Sequence, residues 1–267
     1  MTYLVTGAGG GVGRTVIQTL RSAGKPVRAS SSHPDRVELP DGVELIGLDF
    51  TDPDAVAAAL DGVDKVFLYA LHEGIENFIA GARSAGIEHI VLLSSIAAAN
   101  DQNPIGARHL VVERPLLESG LPVTILRPGA FAANARQWFP SIKAERVVRL
   151  PFPDLQLTPI HEADMADAAI AALDDPAHAG KIYPLTGPES LTHRQQVDAI
   201  AAALGEPVEL VELSYEQAKE FYWQPVLDLW AKAGTGPSPV GPTAESVTGK
   251  PARTFAQWAI DHVAEFR

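Results

Sequence analysis

The run Thr6-Gly7-Ala8-Gly9-Gly10-Gly11-Val12-Gly13 constrains the fold of this chain more than any other stretch of its 267 residues. It follows an apolar run at 3–6 without a break and opens an amphipathic stretch at 11–23. Gly7, Gly10 and Gly13 therefore stand at three-residue spacing between a predicted first strand and a predicted first helix. In that context one glycine makes a tight turn, one lets backbone N–H groups approach a pyrophosphate, and one lets the helix pack close to the sheet. The helix N-terminus then faces the anion with its unpaired N–H groups and the positive end of its dipole.

The rhythm beyond the loop sets the fold class. Strands are predicted at 3–6, 27–30, 43–48, 65–68, 89–93 and 123–126, alternating with helices at 11–23, 52–60, 74–85 and 105–119, which is the pattern of repeated βαβ units. The expectation is an α/β fold, a Rossmann-type doubly wound parallel sheet with a small C-terminal substrate-side lobe. One NAD(P)-binding domain spans 1–267, with the core sheet mainly in 1–128 and the lobe mainly in 129–160 and 180–250. After Arg127, prolines at 128, 140, 151, 153 and 159 break the alternation. A helix at 162–173, a short strand at 181–185, helices at 192–204 and 254–266, and a Gly/Pro-rich loop or lid at 234–242 complete the reading.

Charge and composition narrow the partners. With 46% hydrophobic residues the chain can bury a large core, and 33 acidic against 21 scattered basic residues give a net charge of −12. That argues against a nucleic-acid surface and against an anionic membrane. The absence of cysteine removes disulfides, thiolate nucleophiles and Cys-ligated metal, and no metal-ligand spacing is found. The start of the chain reads as neither a signal peptide nor a membrane span, so the cytoplasm is the expected location. A small-molecule substrate is the expected partner, and association into an oligomer is left open.

The end of the second strand bears on which nucleotide is bound. An acidic residue there would hold a ribose 2′-hydroxyl. Here the sequence is Ser30-Ser31-Ser32-His33-Pro34-Asp35-Arg36, and Ser31, Ser32 and Arg36, with Arg14 after the last motif glycine, suit a 2′-phosphate. NADP(H) is therefore preferred and NAD(H) is the second choice; in the alternative, the serines cap a turn and Asp35 meets the ribose. Leu48-Asp49-Phe50 is placed to meet adenine, and Tyr69 and Ala70 end the fourth strand beside the cofactor path.

Together with Leu92-Leu93-Ser94-Ser95, Ser119-Gly120-Leu121-Pro122-Val123-Thr124-Ile125-Leu126-Arg127-Pro128-Gly129, His161-Glu162-Ala163-Asp164 and Leu185-Thr186-Gly187-Pro188, these pieces make the chain resemble an atypical extended short-chain dehydrogenase of the NmrA-like group. That group includes NADPH-dependent quinone and azo-type reductases and non-catalytic redox sensors. The resemblance implies cofactor contacts from Gly7, Gly9, Gly10, Gly11, Val12, Gly13, Ser94, Pro128, Gly129, Ala130 and Phe131. It also exposes a departure. The Tyr and Lys of the parent superfamily stand four residues apart on the helix before the sixth strand, and counting back from Glu113 puts them at Ile105 and His109. Isoleucine cannot carry a proton, so carbonyl chemistry through that dyad is in doubt.

His109 and Ser95 become the candidate catalytic residues, because imidazole changes charge near neutral pH and a strand-end serine can orient a carbonyl. A passive His109 on the helix is the alternative. His72, Asn134 and Trp138 are candidate substrate contacts, with core packing as the other reading. His161 and Asp164 fit a helix start better than a dyad. Two functions follow. In the first, an NADPH-dependent oxidoreductase passes hydride to a quinone-, enone- or imine-like acceptor, which needs little acid assistance. In the second, a non-catalytic NADP(H) sensor acts through a protein partner.

Overall fold

The computed structural model describes residues 1–70 and 73–267, so the expected substrate contact His72 lies outside the described residues. Eleven strands are present among them: β1 Tyr3–Val5, β2 Val27–Ser31, β3 Glu44–Gly47, β4 Lys65–Tyr69, β5 His89–Leu93, β6 Val123–Pro128, β7 Val147–Leu150, β8 Gln156–Leu157, β9 Ile182–Leu185, β10 Leu191–Thr192 and β11 Glu209–Glu212. The helices are α1 Gly11–Ser22, α2 Pro53–Leu60, α3 Ile75–Ala85, α4 Pro104–Glu118, α5 Phe139–Glu145, α6 Glu162–Asp174, α7 His193–Leu204, α8 Tyr215–Ala218, α9 Gln224–Ala233, α10 Glu245–Thr248 and α11 Phe255–Asp261, with short 3-10 turns between them.

The chain divides into two compact units. The first comprises Met1–Pro128, Glu162–Leu185 and Ala244–Lys250. It is built on a seven-stranded sheet of order β3-β2-β1-β4-β5-β6-β9 in which every neighbouring pair is parallel. The central strands β1 and β5 are buried along their whole length, so they read as continuous apolar runs and not as alternating ones. Local chemistry sets the element ends. Asp52 accepts hydrogen bonds from the Asp54 and Ala55 N–H groups and starts α2 ahead of Pro53, while Asn103 does the same for Ile105 and Gly106 at the start of α4.

The strand at 182–185 corrects the expected boundary of the lobe. It pairs with β6 in parallel register, Ile125 opposite Ile182 through Pro128 opposite Leu185, and so extends the main sheet. Helix α6, which packs against α1, comes with it. Sequence position suggested the lobe because the strand follows a Pro-broken segment; backbone pairing with β6 places it on the edge of the main sheet instead, with Leu185 alone of its residues buried.

The second unit comprises Gly129–His161, Thr186–Thr243 and Pro251–Arg267. It holds a parallel β7–β11 pair and an antiparallel β8–β10 pair around a core that includes Trp138, Ile142, Val197, Phe255, Trp258 and Phe266. The expected lid at 234–242 is tied down inside this unit. The Ser238 hydroxyl donates to the Gln156 carbonyl at 2.6 Å, Gly241 N–H donates to Thr186 Oγ1 at 3.0 Å, and Thr186 N–H donates to the Pro242 carbonyl at 2.9 Å. The expected terminal helix stops at Asp261 and continues as a 3-10 turn at 263–266. Among the described residues no helix is long and apolar enough to cross a membrane.

Candidate functional site

The strand order reverses between β1 and β4. From β1 the chain steps outward through β2 to β3, then returns to place β4 on the other side of β1. In an open parallel sheet the crevice at the carboxyl ends of the two strands flanking such a reversal is where ligands bind. The glycine loop lies there. A cavity of about 360 Å³ opens beside it, lined by Thr6, Gly7, Gly9 and Gly10 from the loop, Ser30, Ser31 and Ser32 from β2 and its end, and Leu48, Phe50, Tyr69 and Ala70 from the next strand ends.

The loop is shaped by close approach. Gly7 has a left-handed φ of +66°, and a Cβ on it would stand 2.9 Å from the Tyr69 Cβ. A Cβ on Gly13 would stand 2.4 Å from the Gly7 carbonyl oxygen, so only glycine lets the first turn of α1 sit this close to the end of β1. Gly10 N–H donates to the Gly7 carbonyl at 2.9 Å, and Ala8 N–H to the Ser30 carbonyl at 3.0 Å, which fix the loop against β2. Gly10, at the start of α1, offers no side chain to cap it, and the first turn carries no acidic residue. Among the described residues the N–H groups of Gly11, Val12 and Gly13 have no acceptor. A twelve-residue helix with an uncapped, uncontested N-terminus beside a cavity is chemically suited to an anion.

The rim is polar. Ser31 Oγ accepts from the His33 N–H at 3.1 Å, and Ser32 Oγ lies 3.0 Å from His33 Nδ1. Arg14 and Arg36 are exposed, and among the described residues neither forms an ion pair. Asp49 stands outside the cavity lining. Its Oδ1 accepts from the Thr51 hydroxyl at 2.7 Å and the Thr51 N–H at 2.8 Å, and these bonds, the hydroxyl's foremost, lower its pKa from the ordinary 3.8. Phe50 packs edge-on against Phe78 with ring centroids 6.0 Å apart, and the Asn77 amide donates to the Phe50 and Thr51 carbonyls, holding that turn open.

The expected catalytic side is arranged around a buried acid that sequence reasoning used only as a landmark. Glu113 of α4 is completely buried. The Ser94 hydroxyl donates to its Oε1, and the Arg127 guanidinium forks onto both of its oxygens, through Nε at 3.0 and 3.2 Å and through a close contact from Nη2. The Ser94 hydroxyl is thus turned toward α4 and away from solvent. Ser95 caps the turn at 96–99 by accepting from the Ala97 N–H at 3.2 Å, which leaves its own hydroxyl hydrogen to donate. His109 is half-buried on the face of α4 shared by Gly106 and Glu113, and Ile105 lies in its first turn. No local signal in the sequence marks this pair, because α4 carries other charged residues beside Glu113 and its partner arrives from β6.

In the second unit Ala130, Phe131 and Ala132 lie beside Ile160, with Ile160 N–H donating to the Ala130 carbonyl and Ala132 N–H to the Ile160 carbonyl, both at 2.8 Å. Asn134 is exposed. Trp138 is packed in the unit's core, its indole N–H donating to the Tyr222 hydroxyl at 3.3 Å and its ring edge-on to His193. His161 is buried with its Nε2 3.3 Å from Asp261 Oδ2, a partner the sequence spacing gave no sign of. Among the described residues no group of three or more His, Asp or Glu side chains is placed to hold a metal.

A family model described as NAD(P)H-binding matches residues 7–176, from the first motif glycine to just past the end of α6. The chain belongs to this NAD(P)H-binding family. That membership agrees with the NmrA-like resemblance carried by the motifs. Relatives of the NAD(P)H-binding chain include a (4-alkanoyl-5-oxo-2,5-dihydrofuran-3-yl)methyl phosphate reductase of Streptomyces griseus, 35% identical and aligned over 98% of both chains. An NAD(P)H azoreductase of Xenophilus azovorans is 32% identical, again over 98% of both. Among solved structures, an NADPH-dependent quinone oxidoreductase of Escherichia coli superposes with a TM-score of 0.78 at 25% identity, covering 99% of this chain and all of the other.

Proposed function

We propose that the protein is an NADPH-dependent reductase of small conjugated acceptors. The observation that carries this reading is the glycine cradle: an uncapped helix N-terminus whose close seat on the loop a single methyl group at Gly13 would disrupt, opening on a cavity rimmed by serines. These residues fit a dinucleotide. The N–H groups of Gly11, Val12 and Gly13 would hold the pyrophosphate, and Ser31, Ser32, Arg14 and Arg36 the 2′-phosphate. Asp49, kept ionised by Thr51, would accept from an adenine amine, with Phe50 alongside and Tyr69 and Ala70 along the path toward the nicotinamide.

When bound, the reduced nicotinamide supplies a hydride to the acceptor. The protein's part is to bind, orient and exclude water, because conjugation lets the acceptor take up the electron pair without a strong acid. Ser95 would donate a hydrogen bond to an acceptor oxygen, and His109 would deliver or relay the proton that completes reduction. Pro128, Gly129, Ala130 and Phe131 are proposed to meet the nicotinamide through their backbone, and Asn134 is retained as an acceptor contact. The Ser94 hydroxyl is already committed to Glu113 and its N–H to the Leu126 carbonyl, so Ser94 would meet the cofactor through its own carbonyl.

The relatives support an acceptor of this kind. The Streptomyces griseus reductase is named for a dihydrofuran whose ring double bond is conjugated with a ring carbonyl and an alkanoyl group, and the other two are named for azo compounds and quinones. With Ile105 at the position where a proton-donating tyrosine would stand, simple ketones should be poor substrates. The test is to follow loss of reduced-nicotinamide absorbance, anaerobically, with NADPH and then NADH against a panel of quinones, enones, azo compounds and simple ketones. Turnover of a conjugated acceptor with NADPH ahead of NADH is expected. NADPH binding with no turnover of any of them would overturn the reading in favour of a sensor.

A further inference from the structure

The buried cluster of Glu113, Arg127 and Ser94 is not needed to bind a nucleotide at the glycine cavity, and none of the three lines it. Glu113 comes from the third turn of α4, Ser94 follows the last residue of β5, and Arg127 is the penultimate residue of β6. Three elements therefore meet at one carboxylate, at the carboxyl edge of the sheet. Arg127 is only 17% exposed and Glu113 not at all, so this is a desolvated ion pair in a protein with ample apolar side chains to fill the same volume. Such a pair is weak evidence for stability, because an apolar pair of similar shape often serves as well or better. Directional bonding is what it adds: the guanidinium fork and the serine hydroxyl fix both the distance and the rotation of α4 relative to the ends of β5 and β6.

The residues whose positions it would fix are those the reductase reading assigns to the nicotinamide end. Ser95 is the next residue after Ser94, Pro128 the next after Arg127, and His109 stands one turn before Glu113 on the same helix face. We infer that Glu113 and Arg127 are positioning residues of the catalytic step: their brace sets Ser95, His109 and Pro128 in register with one another without touching the cofactor. This rests on the reductase reading, and it separates two contributions that usually fall together, because the brace lies apart from the nucleotide cavity.

The test is the double variant Glu113→Gln/Arg127→Met, in which both charges go, neither is left buried alone, and Gln still offers Ser94 an acceptor. We expect it to fold with a melting temperature near that of the parent and to bind NADPH within about twofold. Its kcat should fall at least about tenfold, since small displacements of reacting groups are costly. The emission of bound NADPH, which reports the surroundings of the nicotinamide and needs no turnover, should move as well. Parental kcat and parental emission in the folded double variant would overturn the inference. If the parent turns nothing over, the reductase reading fails on its own, and the emission shift still decides whether the brace positions the nicotinamide end. Should the double variant not fold, Arg127→Lys, which keeps both charges without the fork, is read by the same two measurements: a lowered kcat with moved emission is expected, and parental values of both would overturn the inference.

Discussion

Replacing Gly13 with alanine tests the glycine cradle most directly. The added Cβ would lie 2.4 Å from the Gly7 carbonyl oxygen, where ordinary contact begins at 3.4 Å, so helix and loop must separate by about 1 Å. The atoms it meets are backbone, Gly7 O and C and Thr6 O, and none can swing aside. Overpacking of this kind costs about 1–3 kcal/mol, while alanine in place of glycine in a helix returns up to about 1 kcal/mol. The net loss of stability should be about 0–3 kcal/mol, a melting shift of no more than roughly 12 °C for a chain of this size. Binding should suffer much more. A 1 Å displacement takes the N–H groups of Gly11 to Gly13 out of hydrogen-bonding range of a pyrophosphate, and two charge-assisted bonds at about 1.5–3 kcal/mol each amount to a loss in affinity of at least about 100-fold. Isothermal titration with NADPH beside a thermal melt measures both. Gly9→Ala is the control, since its Cβ would meet only the Val37 Cγ2 methyl at 3.3 Å and the fold should hold. A Gly13→Ala protein that binds NADPH within threefold of the parent would refute the placement of the pyrophosphate.

Three further outcomes are expected. Arg36→Ser and Arg14→Ser should each weaken NADPH binding about tenfold and leave NADH within twofold, as befits loss of one charge-assisted contact to a 2′-phosphate; equal effects on both nucleotides would place the arginines elsewhere. Burial, chiefly, holds the imidazoles of His89 and His193 below their ordinary 6.5, with the Lys65 charge adding to the effect at His89. The unfolded chain therefore binds protons that the folded one resists, so the stability these groups contribute is fully present above pH 6.5 and is lost as pH falls from there toward the lower folded-state values. Unfolding free energy should drop between pH 7 and pH 5, by at most about 1.4 kcal/mol per pH unit for each group, with melting temperature falling in step, and His193→Gln should flatten that slope. Ser238→Ala removes the 2.6 Å bond to Gln156, and amide exchange in 235–242 should quicken by about fivefold, in keeping with a bond of about 1 kcal/mol; an unchanged rate would mean that other contacts hold this loop.

Much was legible because the signals were local. The spacing of Gly7, Gly10 and Gly13 between an apolar run and an amphipathic one determined a strand, a turn and a helix aimed at an anion, since φ freedom and close approach are properties of glycine itself. The alternation of short apolar runs with longer helices determined a parallel sheet. The family, and with it the NAD(P)H cofactor, followed from these same stretches.

Tertiary structure decided whatever depended on which distant residues meet. Strand 182–185 joined the main sheet because β6 still had an unpaired edge, a fact that no window around 182 contains. The segment at 234–242 read as a lid from its glycines and prolines, yet Thr186, Ser190 and Gln156, from 48 to 82 residues away, hold it down. Ser94 and Ser95 look alike in sequence; only the burial of Glu113 and the reach of Arg127 turn one hydroxyl inward and leave the other to donate. Periodicity and turn chemistry are written along the chain, whereas a buried charge finds its partner only when the fold brings the two together.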